Sequence, residues 1–360
     1  MAFSLFGNLL GKKGVIGLDI GTASIKLVEL AHDGGRFNLL NYGIFELSNQ
    51  EEAIETSHAG KLPEENIVAG IKELLTRANI KSKKVIASVP SFSTFSTVLS
   101  MSYLSEKDLA KTIPLEAKKY IPIPLEEVDM DWTIIDTKPA VGQGTPMVDV
   151  FLVAMAKAEK EKYKRIIQAA GLELISFDLE SIGLIRSLLG NDLSPMAVVN
   201  IGGRSSSIMV VDRGFERISH NYEIGGFEIT RSIARSMGVN LARAEELKRS
   251  MGLLQDDKGG TKIVSEAMRS LLDMIAFETQ KTITNYETGK TIKVQKVFLV
   301  GGMANMPGLA DYIKGKLQID VSVGNAFARV VFTPKLQPII AELAPTLAIA
   351  TGVAMREVNI

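Results

Sequence analysis

Apolar and polar positions in this chain follow two periods, and both recur along its length. Apolar residues spaced three and four apart predict helices, chiefly over 64–79, 157–170, 227–237, 243–250, 263–287 and 309–317. Short runs rich in β-branched residues predict strands, chiefly over 15–20, 25–30, 84–89, 147–155, 174–179, 205–211 and 294–300. Because the two kinds of element alternate, the pattern predicts an α/β protein.

One local pattern occurs twice: a β-rich run, an Asp or Asn, an apolar residue and a glycine, then a second β-rich run. The first copy contains Asp19-Ile20-Gly21 and the second contains Asn200-Ile201-Gly202. Glycine lets a backbone approach a ligand closely and leaves N–H donors free. Two such hairpins can grip one phosphate chain from both sides. The repeat therefore predicts a nucleotide clamped between two related domains.

The length of the chain predicts more than one domain, because 360 residues exceed the size at which a single core usually stops growing. We expect a first domain over 1–83 and 156–194 and an inserted subdomain over 84–155. The second domain is expected over 195–224 and 290–340, with a helical subdomain at 225–289. A C-terminal helix over 341–360 should pack back at the domain junction. Pro114 lies in a helix predicted over 105–120, where we expect a kink or a late start.

Composition excludes several kinds of site. The formal net charge is zero, so no global charge favours nucleic acid. The chain has no cysteine, which excludes disulfides and thiolate chemistry, and His32, His58 and His220 lack the spacing of a metal site. No apolar run approaches the ~18 residues of a membrane span. We expect a cytoplasmic protein in which residues 3–10 are a frayed tail rather than a membrane anchor.

A further glycine pair, Gly301-Gly302, follows a late predicted strand. Together with the two hairpins, a domain's length apart, it resembles the signature of the actin-like ATPase superfamily. That resemblance implies an α/β actin-like fold in which duplicated ribonuclease-H-like domains surround a nucleotide cleft. It also implies ATP or ADP, with Mg²⁺, as the ligands.

The chain is similar in particular to the PilM family of type IV pilus assembly, which is related to the division protein FtsA. The similarity is carried by the first hairpin and by the segment from Glu116 to Pro124, with Asp129 and Asp131-Trp132 after it. This segment lies in the inserted subdomain, which chaperones, actin and sugar kinases do not share. The similarity extends over nearly the whole chain.

The resemblance assigns many residues to the nucleotide site. Glu245 and Lys248 share a helix face and are expected at the ribose and adenine. The complete set of expected cofactor-binding residues is Asp19, Gly21, Thr22, Ala23, Ser24, Lys26, Gly202, Gly203, Arg204, Ser205, Gly226, Glu245, Lys248, Gly301, Gly302 and Met303.

The expected metal positions are Asp19 and Asn200. Many actin-like ATPases have Asp at the second position, and the neutral Asn offers only one carbonyl oxygen, so we expect weaker metal binding there. Glu180, or else Asp178, is the candidate for the group near the attacking water. ATP binding is thus better supported than ATP turnover, which we expect to be very slow or absent.

The inserted subdomain contains a candidate partner site. Tyr120-Ile121-Pro122-Ile123 is an apolar segment fixed by proline. The resemblance implies that it binds the cytoplasmic N-terminal segment of a PilN-type inner-membrane protein, so that membrane contact is made only through partners. Pilus assembly ATPases or the platform protein are further candidate partners, and self-association stays open.

Two other functions remain as alternatives. An FtsA-like filament-forming division or cytoskeletal protein would carry a C-terminal amphipathic membrane helix, which we do not expect here. A sugar-kinase-type phosphotransferase would need a catalytic Asp in the cleft and a polar substrate pocket. The sequence offers no convincing candidate for either, so we favour the adaptor.

Overall fold

A computed structural model of the chain describes residues 14–47, 63–103, 105–140, 145–254 and 259–356. Residues 3–10 therefore lie outside the described part, so the expected frayed tail stays a prediction. The helices are α1 (Glu64–Arg77), α2 (Glu106–Ala117), α3 (Lys157–Ala169), α4 (Glu180–Leu188), α5 (Gly226–Met237), α6 (Leu241–Met251), α7 (Gly259–Glu287), α8 (Leu309–Leu317), α9 (Gln337–Thr346) and α10 (Ala348–Ala354).

The strands form three sheets. They are β1 (Val15–Ile20), β2 (Ser24–Asp33), β3 (Arg36–Glu46), β4 (Lys84–Val89), β5 (Thr94–Ser102), β6 (Val128–Lys138), β7 (Met147–Ala156), β8 (Glu173–Leu179), β9 (Met196–Ile201), β10 (Ser206–Asp212), β11 (Phe215–Tyr222), β12 (Lys296–Val300), β13 (Asp320–Val323) and β14 (Val330–Val331).

Two of the sheets share one topology. Their strand orders are β14-β3-β2-β1-β4-β8 and β11-β10-β9-β12-β13. In each, an antiparallel meander of three strands is followed by two parallel strands. The expected fold class, a duplicated actin-like α/β fold, is confirmed.

The central strands of both sheets are buried on both faces, which explains their continuous apolar runs. In β1 all six residues are buried. Ile16 and Leu18 pack with Ile71 of α1 and Ile167 of α3. Val15 packs on the other face in a cluster that contains residues of the second sheet. This burial fixes where β1 ends, and its end carries Asp19.

The third sheet, β5-β7-β6, belongs to the inserted subdomain and has its own apolar core, which includes Leu109, Ile113 and Leu152. The expected boundary at residue 84 is too early. Strand β4 pairs with β1 and β8 in the first sheet, because its apolar residues complete that sheet's core. The insertion therefore begins after Pro90.

The helix of the inserted subdomain also corrects an expectation. Helix α2 starts at Glu106 and continues past Pro114, so the late start is wrong. The Ser105 hydroxyl caps it by accepting from the Asp108 backbone N–H at 3.2 Å.

The C-terminal region differs from the single helix expected over 341–360. It forms α9 and α10, which are bent by 92°, and Pro345 in the last turn of α9 cannot donate a helical hydrogen bond. Helix α10 is buried along its length. Strand β14 pairs with β3 of the first sheet, so the boundary placed at 340 is also wrong. In the described part of the chain no single helix is long and apolar enough to cross a membrane, although the bent pair Pro334–Thr346 and Ala348–Ala354 reaches that length and composition together.

Helices α4 and α10 meet with backbone against backbone. A Cβ added to Gly352 would lie 1.7 Å from the Gly183 carbonyl oxygen, and one added to Gly17 would lie 2.0 Å from the Ala350 oxygen. Only glycine permits such contacts. Because Gly17 is in β1 and Gly183 is in the first turn of the helix after β8, α10 is fixed against the first sheet at the junction of the two domains.

Candidate functional site

A cleft of about 550 Å³ lies between the two related sheets, within the range of small-molecule sites. It is lined by the β1–β2 and β9–β10 hairpins and by parts of α4, α5, α6 and α9. The structure brings the whole expected cofactor-binding set to this cleft, together with Asn200 and Glu180. These residues come from both halves of the chain.

The two glycine hairpins have the same geometry. The Gly21 N–H donates to the Ser24 carbonyl at 3.0 Å, and the Gly202 N–H donates to the Ser205 carbonyl at 2.9 Å. Each turn is therefore closed by one hydrogen bond between its ends. A Cβ added to Gly203 would lie only 2.3 Å from the Ala23 Cβ, so the two turns touch across the cleft.

The start of α5 is attached to the second hairpin. The Gly226 and Phe227 N–H groups donate to the Gly202 and Gly203 carbonyls at 2.9 and 2.8 Å. A Cβ on Gly225 would lie 2.6 Å from the Gly203 oxygen. This contact places the partial positive charge of a helix N-terminus beside the hairpin, where it favours an anion.

Asp19 is the buried carboxylate at the end of β1. Its Oδ1 accepts from Ser88 Oγ at 3.1 Å, and its Oδ2 accepts from Lys26 Nζ at 3.2 Å. No group of three or more His, Cys, Asp or Glu residues close enough to hold a metal occurs in the described residues. Mg²⁺ commonly uses one or two carboxylates together with substrate phosphates and water. Asp19 fits that mode of binding, with phosphate oxygens completing the site.

Glu180, the first residue of α4, lies across from Asp19. Its Oε2 accepts from the Ser91 N–H at 3.0 Å and the Ser91 hydroxyl at 2.8 Å. Burial and the nearby Asp19 charge raise the pKa of Glu180 to about 7, against the opposing effects of the Ser91 hydrogen bonds and Lys26. A carboxyl with such a pKa exchanges a proton near neutral pH.

Asp178, the other candidate, does not line the cleft. It accepts from Arg186 Nη1 at 2.8 Å and lies 3.8 Å from Arg356 Nη1. Two guanidinium groups hold it, so it ties α4 to the C-terminal region. The structure removes Asp178 as a candidate for the water-orienting group.

Glu245 and Lys248 form a largely buried pair on α6. Lys248 Nζ donates to the Gly226 carbonyl at 3.0 Å and to Thr230 Oγ1 at 2.8 Å, and it also pairs with Glu245. Burial lowers the pKa of Lys248 despite the attraction of Glu245. Burial alone would raise the pKa of Glu245, but Lys248 and hydrogen bonds from Thr230 and Arg249 lower it below its usual range. The pair fastens α6 to the start of α5.

The family is decided by a match over nearly the whole chain. The family model described as "Type IV pilus assembly protein PilM" matches residues 17–358. The chain belongs to the PilM family. Curated relatives of this PilM-family chain include FtsA of Bacillus subtilis (strain 168), 22% identical over 59% of this chain and 54% of FtsA. FtsA of Enterococcus faecalis (strain ATCC 700802 / V583) is 20% identical over 86% of this chain and 78% of its own length. The chain thus spans about half of the first relative.

Solved structures agree on the fold. A chain of a PilM-PilN type IV pilus biogenesis complex superposes with a TM-score of 0.79 at 22% identity, covering 95% of this chain and 98% of that one. MreB 5 of Spiroplasma citri bound to AMPPNP superposes with a TM-score of 0.51 at 12% identity, covering 94% of each chain. At these identities the likeness establishes the actin-like fold of this PilM-family chain.

The expected partner segment of the PilM-family chain lies outside the cleft, in the inserted subdomain. Tyr120 and Ile123 are 49% and 38% exposed, and Pro122 is also exposed. Ile121 is only 7% exposed and packs in the subdomain's own core, so it is not available to a partner. Three of the four residues are therefore exposed, and the buried Ile121 interrupts the apolar surface.

Several cleft residues of the PilM-family chain carry no local sequence signal. Glu46 and Leu47 end the third strand of the first sheet, and Pro345 and Thr346 end α9. Other lining residues that sequence reasoning missed are Ser91, Phe92, Asn221, Arg249, Asn305, Glu342 and Leu343. These residues come from distant parts of the chain and meet only in the folded structure. One sequence signal was available: Ser91 and Phe92 directly follow a strand that ends at Pro90, a position typical of the edge of a cleft.

Proposed function

We propose that this chain is an ATP-binding, actin-like adaptor of type IV pilus assembly. In this role the cleft holds Mg²⁺·ATP, and the surface of the inserted subdomain holds the cytoplasmic N-terminal segment of a PilN-type inner-membrane protein. The observation that carries the proposal is the pair of matching glycine hairpins that touch at Ala23 and Gly203. Membership of the PilM family supports the cellular role.

The cleft has the chemistry for a phosphate chain. No carbonyl of the described backbone accepts from the N–H groups of Thr22 or Gly203, so these donors are available to phosphate oxygens. A Cβ on Gly302 would meet no atom within 4 Å, which leaves its backbone open to the cleft. Lys26 and the N-terminus of α5 add positive charge. The relative MreB 5 is bound to AMPPNP, which supports a nucleotide here.

The Glu245 and Lys248 pair suits the nucleoside end of ATP. Both residues line the cleft, and Glu245 retains acceptor capacity for ribose hydroxyls because it is ionised. Asp19 would hold Mg²⁺ together with phosphate oxygens of ATP and water. In this chain Lys26 competes with the cation for Asp19, and Asn200 adds no charge. The site is therefore suited to binding more than to rapid turnover.

The raised pKa of Glu180 does not itself slow turnover, because a carboxyl with a pKa of about 7 suits proton transfer at neutral pH. The expectation of slow turnover rests on the weak metal site, where Lys26 competes for Asp19 and Asn200 adds no charge. We expect hydrolysis far below the ~10 per second of a typical enzyme. A rate of that size, measured by phosphate release with purified protein and Mg²⁺·ATP, would contradict the adaptor role.

The partner proposal depends on the inserted subdomain. This subdomain has its own core, and Leu115, Tyr120 and Ile123 are exposed at and after the end of α2. Exposed apolar residues on a rigid support lower the ordering cost of binding a peptide. A structural relative was solved as a PilM-PilN complex, which supports a PilN-type tail as the occupant.

The nucleotide half of the proposal is tested by calorimetry. Asp19→Ala should weaken ATP binding by about tenfold with Mg²⁺ present and leave it unchanged in EDTA. Asp129→Ala is a matched control, because Asp129 is a half-exposed carboxylate outside the cleft that pairs with Lys160 of α3. Equal affinities for wild type and Asp19→Ala with Mg²⁺ would remove Asp19 from the metal site.

The partner half is tested by deletion. Thr94 and Met155 are paired neighbours on β5 and β7, so a short Gly/Ser linker can replace residues 95–154 and leave the first sheet intact. A synthetic peptide of the cytoplasmic tail encoded beside this gene should bind the full chain and not the deleted one. Tyr120→Ser should weaken the peptide severalfold, with Tyr103→Ser as an exposed aromatic control in the same subdomain. A deleted protein that still binds ATP and captures the peptide equally well would refute this site.

A further inference from the structure

One short segment holds both Asp19 and Glu180, the two carboxylates on the first-domain side of the cleft. Strand β4 supplies Ser88, whose hydroxyl donates to Asp19 at 3.1 Å. The turn that follows supplies Ser91, whose N–H and hydroxyl both donate to Glu180. Because this segment leads directly into β5, the positioning of Asp19 and Glu180 and the start of the inserted subdomain depend on the same few residues.

Ser91 also contacts the second domain. Its carbonyl accepts from Asn221 Nδ2 of β11 at 3.2 Å, and Asn221 lines the cleft as well. Ser91 is therefore hydrogen-bonded to the first domain through Glu180 and to the second domain through Asn221, and it is the first residue of the turn that begins the insertion.

Contacts further along β5 keep the inserted subdomain against the second domain. Ser96 Oγ donates to Glu216 Oε1 at 2.8 Å, and Glu216 of β11 is buried. Arg213 Nη1 donates to Asp136 Oδ2 at 3.2 Å from the turn between β10 and β11. The orientation of the insertion therefore depends on a small polar interface that starts at Ser91.

We propose that Ser91 is a positioning residue that couples the phosphate end of the cleft to the orientation of the inserted subdomain. The proposal rests on the proposed function for the identity of the occupant, Mg²⁺·ATP. The new element is that Mg²⁺·ATP in the cleft would control, through Ser91, how the inserted subdomain is oriented toward a partner.

The segment is short and rigid enough to transmit a displacement. Residues Ser91–Ser93 form one turn of 3-10 helix, in which the Ser93 N–H donates to the Pro90 carbonyl at 2.9 Å. The ring of Pro90 fixes its φ. With so few free torsions, a shift of the Glu180 carboxylate moves Ser91 and so moves Thr94 at the start of β5.

Charged groups in the cleft act electrostatically on Glu180. The groups that face it are Asp19 and Lys26 of the first hairpin and Tyr163 of α3. A divalent cation beside Asp19 favours the ionised form of Glu180, which accepts both Ser91 hydrogen bonds, and charged acceptors strengthen such bonds. The occupied cleft should therefore hold the insertion in one orientation, and linkage requires a tail that prefers this orientation to tighten ATP binding by the same factor.

The absence of cysteine from the chain makes a distance measurement simple. Spin labels at Lys111→Cys in α2 and Ser236→Cys in α5, both exposed, report the distance between the inserted subdomain and the second domain by double electron–electron resonance. We expect Mg²⁺·ATP to shift or narrow the distance distribution. Ser91→Ala should remove at least half of that response when both proteins are measured at saturating Mg²⁺·ATP. Ser93→Ala, in the same turn, should respond fully.

A pH series separates coupling from a merely structural role. The distance distribution without nucleotide should change with a midpoint near pH 7, the pKa of Glu180, and the midpoint should disappear in Glu180→Gln. Because the Ser91 hydroxyl lowers the pKa of Glu180, Ser91→Ala should move the midpoint to higher pH. An unmoved midpoint in Ser91→Ala overturns the proposal.

Calorimetry on the same labelled samples distinguishes two kinds of failure. If the wild type shows no ATP binding, the proposed function fails and this inference fails with it. If ATP binds and the distances do not respond, or if Ser91→Ala responds like the wild type, the coupling alone is wrong.

Discussion

The two glycine hairpins have the same backbone and different charges. In the first, Asp19 is paired across the hairpin with Lys26, and in the second, Asn200 is paired with Ser207 at the same register. The first pair is an ion pair at 3.2 Å, whereas neither member of the second pair carries a charge. In the proposed function, the repeated backbone would serve the task common to both sides, the donation of N–H groups to phosphate.

The carboxylates at the phosphate end of the cleft lie on the first-domain side. Asp19 is joined there by Glu180, so both cleft carboxylates that face the phosphate end belong to the first domain. The second hairpin contributes the attachment of α5 and close packing at Gly203. In the proposed function, the first domain would therefore hold the cation and exchange protons through Asp19 and Glu180, and the second hairpin would set the fit of the phosphate chain.

The largest expected effect comes from the place where the hairpins touch. Gly203→Ala puts a methyl group 2.3 Å from the Ala23 Cβ and should force the hairpins apart. Overpacking of this kind costs ~1–3 kcal/mol, so we expect ATP affinity to fall by about 10- to 100-fold, as measured by calorimetry. Gly315→Ala, on α8 with open space around it, is the control. The double variant Gly203→Ala/Ala23→Gly should recover most of the affinity, and a double variant as weak as the single one would contradict the contact.

The next largest effect is expected from exchanging the residues at Asp19 and Asn200, which tests whether the two hairpins are interchangeable. Asp19→Asn should weaken Mg²⁺·ATP binding by about tenfold, and Asn200→Asp should bind Mg²⁺·ATP at least as tightly as the wild type because a second carboxylate complements the cation. The swap Asp19→Asn/Asn200→Asp should stay weak, since Lys26 remains on the first side. Full recovery in the swap, measured by Mg²⁺ titration at fixed ATP, would show that the hairpins are equivalent.

A smaller effect concerns pH and stability without nucleotide. Because the pKa of Glu180 is raised to about 7 from ~4.3 in an unfolded chain, the folded state favours the protonated form. The resulting stability is fully present below about pH 4 and is lost as the pH rises through 7. Glu180→Gln should therefore be more stable than the wild type by about 1 kcal/mol at pH 8, allowing for solvent access to the cleft, and nearly equal at pH 4.5. Urea unfolding at both pH values tests this, and an equal difference at both would exclude Glu180 as the titrating group.

The smallest effect concerns the ion pair across the cleft mouth. Arg249 Nη2 lies 3.4 Å from Glu46 Oε1, and both side chains are 65% exposed, so the pair should add less than ~1 kcal/mol to stability. Glu46→Gln should speed ATP release by about twofold or less, as measured by displacement of a fluorescent ATP analogue. Glu246→Gln, which removes a pair within α6, should have no effect on release.

The sequence predicted what depends on neighbours along the chain. The hairpin turns at Gly21 and Gly202 and the shared face of Glu245 and Lys248 are local patterns, and the structure brings all four residues to one cleft. The residue types at Asp19 and Asn200 also predict that the first hairpin carries a negative charge at this position and that the second does not. Glycine turns and helix faces can be predicted from the sequence because backbone sterics and the helical period determine them.

Other features depend on pairing between distant segments. The predicted boundary at residue 84 places β4 in the insertion, whereas β4 pairs with β1, which lies far back in the sequence. Strand β14 has only two residues and joins the first sheet from the end of the chain, and no two-residue run carries a period. The role of Ser91 was invisible for the same reason, since Glu180 and Asn221 reach it only in the folded chain.

The glycine contact between α4 and α10 has a mechanical consequence. Backbone meets backbone at Gly183 and Gly352, and side chains of both helices pack in one buried cluster around that contact. One helix therefore cannot slide or turn on the other without separating atoms that already touch. The two helices should move as one rigid body, and any change in the width of the cleft should come from bending in the other connections between the domains.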